Sequence, residues 1–266
     1  MPAPYLTYYT GIAPRMLPFL VDRHVAVEQR FSESRALVYR RHQESGDRRR
    51  WIIIRDEADL VDWARRYAVA FHAHLRPGGP GAWFVLDIDA RERPLAMAQL
   101  AACHAVAVCA GAGLDVLVKF SGSNGFHLMW EMPSLRGIGP RGLWTLERAL
   151  VDAMAAQVTR RLADDPAAAP LYAAVGSEPI IATNSQDAAA SSGLLFDKHI
   201  LKANVNIRVP FSIHPGSGLV ALPIAAGALA TFTPSAAAPE AAMDSPMFSM
   251  PTNPLERVRT ALATWR

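Results

Sequence analysis

The sequence has little of several features that would place it quickly. Only two cysteines, Cys103 and Cys109, occur in 266 residues, and both fall in an apolar, helix-like stretch. Two thiols without matching partners cannot build a zinc module, and they read as buried thiols of a reducing compartment. No apolar run is long enough to span a bilayer and no leader pattern is present, so the cytoplasm is the expected location and no membrane is expected as a partner. Charge of one sign is scarce too. With 27 Lys and Arg against 24 Asp and Glu, the net charge is +3, which by itself does not single out a polyanionic partner. No Ser-His-Asp or Cys-His arrangement stands out, and there is no internal repeat.

What is present is more telling. Hydrophobic residues make up 51% of the chain, enough for a sizeable core. One apolar run, Trp83-Phe84-Val85-Leu86-Asp87-Ile88-Asp89, ends in two acids spaced two apart. In a strand that spacing puts both carboxylates on one face. They repel each other, and burying them unpaired is unfavourable by several kcal/mol, on the order of the penalty for a lone buried ion. Mg²⁺ or Mn²⁺, which take oxygen ligands, would relieve that repulsion. The plain alternative is a strand end whose acids face solvent.

A second element follows at Ser121-Gly122-Ser123-Asn124-Gly125-Phe126-His127. Asp115 to Phe120 reads as a strand, the Gly-Ser-Asn-Gly stretch as a turn, and Phe126 to Met132 as the returning strand. Two glycines let backbone N–H groups approach a phosphate closely. Lys119 and Ser121 lie just before the turn and His127 just after it, placed to contact the same phosphate. An ordinary hairpin with a surface histidine is the alternative.

The third element runs from Leu195 to His214. Asp197 follows an apolar pair and is suited to complete a three-carboxylate cage for two metal ions, while Arg208 and His214 are suited to neutralise a triphosphate. A helix cap and a surface charge are the simpler roles for Asp197 and Arg208.

Taken in order, these motifs resemble the archaeo-eukaryotic primase superfamily, and within it the polymerase domain of bacterial ligase D and its stand-alone primase-polymerase relatives. The opening Tyr9-Thr10-Gly11-Ile12-Ala13-Pro14-Arg15-Met16-Leu17-Pro18-Phe19-Leu20 and the late Pro210-Phe211-Ser212 add to the likeness, which spans about residues 8 to 224. The resemblance implies that Asp87, Asp89 and Asp197 bind two Mn²⁺ or Mg²⁺ ions. It also implies that Ser121 and His127 hold the triphosphate of the incoming nucleotide, with the early-strand cation at Arg41; Gly122, Asn124 and Gly125 of the turn, with Lys119, Arg208 and His214, complete the nucleotide-binding set expected from the residues themselves. Two positions depart from the ligase D pattern: Asn124 stands where a lysine is common, and His214 where an arginine is common. The implied activity is template-directed nucleotidyl transfer to a 3′-hydroxyl, with NTPs or dNTPs as substrates, DNA template and primer as partners, and chain initiation as a further capacity. End-joining, ligase or replication proteins are the protein partners such an enzyme implies, since no ligase or nuclease motif is evident in this chain.

Local charge adds a nucleic-acid surface. Arg40, Arg41, Arg48, Arg49 and Arg50 crowd one stretch beside Trp51, a combination that serves phosphate backbones and base stacking, although such runs are commonly solvated loops. The rivals from other classes are a noncatalytic nucleic-acid-binding module of the same fold and a metal-dependent phosphohydrolase using the same acids.

The expected fold class is α+β: mixed sheets with flanking helices around an RNA-recognition-like catalytic core. Strands are expected near Val25–Phe31, Ala36–Arg41 and Trp51–Ile54, and helices over Glu57–His74, Pro94–Ala110 and Leu143–Ala163. Arg76 to Gly81 is a Pro/Gly breaker, and Pro166 to Ala190 has no clear pattern. The catalytic domain is expected to cover 1–224, as an N-terminal lobe of about 1–80 and a metal and nucleotide core of about 81–224. Residues 225–252, rich in Ala, Pro and Ser, read as a loosely ordered connector, and 253–266 as a C-terminal helix begun by Pro254.

Overall fold

In the computed structural model, the described residues are 5–32, 36–45, 48–76, 81–176, 178, 181–187, 194–202 and 204–265. Among them, helices α1 (Leu6–Met16), α2 (Glu57–Arg65), α3 (Leu95–Gly111), α4 (Pro140–Asp164), α5 (Ala168–Ala173) and α6 (Leu255–Trp265) surround three sheets. The strands are β1 (Val25–Gln29), β2 (Val38–Arg40), β3 (His42–Ser45), β4 (Arg48–Trp51), β5 (Ala68–His74), β6 (Ala82–Asp89), β7 (Leu117–Phe120), β8 (Gly125–Met132), β9 (Ile181–Ala182), β10 (Leu194–Phe196), β11 (Asn206–Arg208) and β12 (Pro223–Ile224). This is the mixed α+β class expected from the pattern.

The first sheet has the order β11-β5-β1-β2 and the second β12-β7-β8-β6-β10-β9, while β3 and β4 pair as a separate hairpin. β11, from the far half of the chain, joins the sheet built by residues 25–74, so the first sheet is not made by the N-terminal segment alone. Helices α3 and α4 pack on each other and α3 packs on the second sheet, burying Met97, Ala101, Ala105 and Val108 of α3 and Leu150, Met154 and Val158 of α4.

One expected helix is two elements. The stretch 57–74 starts as a helix capped by Asp56, whose side chain accepts from the Asp59 N–H at 2.8 Å. It stops at Tyr67, which has a left-handed φ of 67°, and continues as β5, whose seven residues are all buried. A strand covered on both faces shows no alternation, so its apolar run extends the helical pattern without a visible break.

The 225–252 stretch is also corrected. It forms short helical turns at Ala226–Thr231, Pro234–Ala237 and Pro239–Ala242 and buries Leu229, Phe232, Ala237 and Ala242. Phe232 sits 5.1 Å from Phe120 and 5.8 Å from Phe126, ring centre to ring centre, so the segment is a strap over the second sheet rather than a connector. Asn253 then closes it: its side chain bonds the backbone of Asp115, and its N–H donates to Glu131 O at 2.8 Å. Residues 77–80 of the expected breaker, and 177, 179–180 and 188–190 of the unclear stretch, lie outside the described residues.

Candidate active site

The central pairing of the second sheet explains how the motifs meet. β6 and β8 run antiparallel with Asp87 opposite His127 and Asp89 opposite Gly125; β8 and β7 pair His127 with Lys119. On the other side of β6, Leu195 faces Asp89 and Phe196 faces Ile88, and the Asp197 N–H donates to Asp87 O at 2.9 Å. Directly opposed residues share a sheet face. Asp197, Asp87, His127 and Lys119 therefore form one row across four neighbouring segments, with Asp89 one step further along β6.

Gly125 makes this close pairing possible. A Cβ there would lie 2.2 Å from Ile88 O, so only glycine lets β8 approach β6 beside Asp89. Gly122, at φ +89°, turns the preceding loop, and its carbonyl accepts from the Ser217 hydroxyl.

The acids hold distinct partners. Asp87 Oδ1 lies 3.2 Å from His127 Nε2. Asp89 Oδ1 accepts from the Arg91 N–H at 2.7 Å. Asp197 Oδ1 accepts from the His199 N–H at 2.7 Å and meets that residue's ring at the same distance. Burial, together with the negative charges of Asp87 and Asp197, holds the Asp89 carboxyl above its ordinary range despite the Arg91 N–H. Among the described residues, no three side chains of metal-binding type converge to ligand distance. The donor set is nonetheless all oxygen, and mutual repulsion raises the affinity of Asp89 for a proton, which is the charge imbalance a hard divalent cation would neutralise. The three acids fit such an ion by chemistry, once their oxygens turn from the present partners.

A cavity of about 340 Å³ opens beside this row. Asp87, Asp89, Ser121, Asn124, Gly125, His127, Arg208 and His214 line it, together with His72, Ile88, Ser123, Asn206 and Ile207, whereas Asp197 and Gly122 do not. Asn124 points its amide at Arg91 O. His214 accepts N–H groups of Gly216 and Ser217 on Nδ1, both at 3.2 Å. Burial, then Arg208, pushes the His214 imidazole below its usual value.

Lys119 is placed differently from the phosphate role read for it. It is fully buried, does not line the cavity, and sets its amine 2.7 Å from His127 Nδ1. Burial, then Arg208, drives its pKa well below that of an ordinary lysine, with Asp87 opposing the shift. Burial and the neighbouring Lys119 likewise lower His127. With Nε2 facing the Asp87 carboxylate, the favoured tautomer carries its proton there, and the bare Nδ1 accepts from the lysine amine.

The opposite wall comes from the first sheet and, Arg208 apart, was not singled out in the sequence. Arg208 is opposite His72 in the β11–β5 pairing. Glu28 of β1 stands between them, Oε1 3.3 Å from His72 Nε2 and Oε2 3.9 Å from Arg208 Nη2. Burial raises the Glu28 carboxyl, but His72 and Arg208 outweigh it and hold its pKa low. Among the described residues, Glu28 Oε2, Asn206 Oδ1 and Arg208 Nε are buried without a hydrogen-bond partner, and Asn206 and Arg208 line the cavity itself. The alternation His72-x-His74 and Asn206-x-Arg208 was the available signal.

The remaining basic residues lie elsewhere. Arg40, Arg41, Arg49 and Arg50 are exposed and none lines the cavity; Arg41 sits 5.5 Å over the Tyr39 ring. The Arg48 side chain lies outside the described residues. Trp51 stacks on His24 at 4.6 Å and contacts His42 at 4.5 Å, so its ring is already engaged within the protein.

A helix frames the back of the site. Tyr8 of α1 donates to Phe211 O at 2.8 Å, Tyr9 donates to Val69 O at 2.8 Å and accepts from the Ile213 N–H, and Ser212 Oγ accepts from the Phe71 N–H. Phe211 holds a left-handed φ of 67°, an uncommon conformation for an aromatic residue that these bonds enforce.

A family model described as "LigD, primase-polymerase domain" matches residues 3–170, which include Asp87, Asp89 and the Ser121–His127 turn. No curated protein sequence matches the chain. Among solved structures, the chain is similar to the polymerase domain of Mycobacterium tuberculosis ligase D in complex with DNA, at 17% identity and a TM-score of 0.61, over 97% of this chain and 86% of that one. At that identity the likeness is one of fold, and it extends past residue 170 to the segment carrying Asp197, Arg208 and His214.

Proposed function

The chain belongs to the LigD primase-polymerase family, and from that premise we propose that it is a template-directed nucleotidyltransferase acting in DNA repair, end joining or primer synthesis. Members of this family are polymerase or primase-type nucleotidyltransferases, so the finer reading concerns how this chain's residues serve the reaction. The observation that carries it is the pairing that sets Asp197, Asp87 and His127 in one row with Asp89 beside it, of which Asp87, Asp89 and His127 line a cavity whose other wall holds Arg208 and His214.

Asp87, Asp89 and Asp197 would hold Mn²⁺ or Mg²⁺, two ions in this reading. Such ions, when bound, activate a 3′-hydroxyl and stabilise charge on the attacking and leaving oxygens. The protein groups do the rest. The Ser121–Gly125 turn offers its hydroxyl and backbone N–H groups to the triphosphate, and His127 presents Nε2–H toward it once Asp87 turns away. Arg208 and His214 face the same space and oppose the negative charge that gathers as the phosphodiester forms. Fixing these donors before substrate arrives is what makes them effective in a water-poor cleft.

The decisive experiment is extension of a labelled primer on a gapped, 5′-phosphorylated template with Mn²⁺, comparing NTPs with dNTPs and including a reaction without primer. Template-directed growth that Asp87→Ala or Asp197→Ala abolishes, with DNA binding retained, is the expected result. Normal extension by either variant would remove the proposed cage. Release of inorganic phosphate without chain growth would favour a phosphohydrolase.

A further inference from the structure

A larger cavity, about 570 Å³, lies apart from the site just described. Leu135 and Ile138 of the loop after β8, Arg141 and Trp144 at the start of α4, and Lys202 line it. Gly81, at the head of β6, lines it too, and stands six residues before Asp87 on an extended chain, a separation of roughly 20 Å.

Three features set this surface apart. Trp144 is 46% exposed, unusual for so large a ring, and the Arg148 guanidinium lies 4.9 Å from its centre. Among the described residues the cations around it have no acidic partner, and the nearby acids are engaged elsewhere: Glu147 pairs with Arg76, and Glu131 with Arg23. Arg76 also donates to Lys202 O at 3.1 Å, which fixes the Lys202 backbone at the rim. An open indole, an apolar floor and unpaired Arg141, Arg148 and Lys202 therefore share one face.

We propose that this face binds single-stranded nucleic acid, one base stacking on Trp144 over the Leu135 and Ile138 floor while the phosphates pass Arg141 and Lys202. Sequence-independent single-strand binding combines aromatic platforms with a cationic track in this way. A flat base suits the Trp144–Arg148 pair; an acidic peptide would satisfy the cations but leave that planar platform without a role. The choice of partner rests on the polymerase reading, and the surface would hold an unpaired strand some way from the reacting end.

The test measures anisotropy of a fluorescein-labelled oligo-dT with the full chain, Trp144→Ala and Arg141→Gln/Lys202→Gln, over a range of salt. Trp144→Ala should weaken binding about tenfold, a typical loss for one stacked base. The double variant should reduce the slope of log affinity against log salt by about 1.4, two phosphate contacts on a single strand. Both variants should still extend a primer whose template overhang is a single nucleotide. Oligo-dT binding that is absent, or unchanged in both variants, overturns the proposal, as does displacement of the oligonucleotide by an acidic Glu-rich peptide that binds more tightly through Trp144. Trp144-dependent binding in a chain that never extends a primer would instead sink the polymerase reading and leave this surface standing.

Discussion

Replacing Lys119 with methionine isolates one buried proton. The amine is fully buried and its one hydrogen-bond partner is His127 Nδ1 at 2.7 Å. Burial drives its pKa well below the usual lysine value, so between its folded and unfolded values the native chain carries it uncharged while the unfolded chain carries it protonated. Unfolding then takes up a proton. A lysine depressed in this way gives stability that grows as pH rises toward the unfolded value near 10.4, at up to about 1.4 kcal/mol per pH unit. Lys119→Met has no such proton, so between about pH 7.5 and about pH 9.5 the parent should gain stability relative to the variant, at no more than about 1.4 kcal/mol per pH unit. Urea unfolding at three pH values in that window, with EDTA present, reads the difference, and titrating groups out of reach of Lys119 cancel between the two proteins. At the lower pH the variant should be at least as stable as the parent, since a buried amine is exchanged for an apolar chain of similar volume. Primer extension should nonetheless fall, because His127 loses the donor that fixes its tautomer. Parallel stability curves would mean that Lys119 stays charged in the folded protein and would refute the argument.

Other perturbations probe the frame. Gly125→Ala must push β8 from β6, since its new methyl would meet Ile88 O at 2.2 Å; a loss of about 1–3 kcal/mol by thermal or chemical melting is expected, together with loss of extension, and a parent-like variant would contradict the close approach. Burial raises the Glu147 carboxyl to about 7 even though Arg76 pulls it down, so its folded pKa exceeds the unfolded one. Its contribution is fully present below about pH 4.5 and is lost as pH rises through about 7, on the order of 3 kcal/mol in all. Melting temperatures of Glu147→Gln and the parent should therefore diverge in the variant's favour between about pH 4.5 and about pH 7 and keep that offset above it, and equal pH dependence would dismiss the raised carboxyl. Phe232→Ala removes the ring that the strap sets against Phe120 and Phe126 and should lower stability by about 3 kcal/mol; a change below about 0.5 kcal/mol, typical of surface substitutions, would mean the strap does not hold the sheet.

Much of the cavity was legible because its motifs follow a strand's period of two. Asp87-x-Asp89 lies on one strand and the turn before His127 within the β7–β8 hairpin, so local spacing and glycine placement were enough to show each motif, while the pairing of β6 with β8 that brings them together crosses helix α3. Lys119 shows where such reading stops: whether a lysine two residues before a turn meets ligand or core depends on the register of β7 against β8, which no local pattern encodes. Glu28 and His72 were hidden for a related reason. β5 is buried on both faces, so it looks like more of the helix before it, and the wall it builds faces the acids only after β11 crosses from residues 206–208. The 225–252 strap has the composition of a linker, yet two well-placed anchors, Leu229 and Phe232, dock it.

The bonds from Tyr8 to Phe211 and from Tyr9 to Ile213 join residues more than 200 positions apart. Contacts of that span form only after a large loop has closed, which slows folding and defers it until most of the chain exists. During synthesis the first sheet waits for β11 as its outer strand, and the cavity waits for Arg208 and His214. A nascent chain therefore lacks the Arg208 and His214 side of the cavity until residues 206–214 emerge, and the segment that completes that wall also commits α1 to its seat.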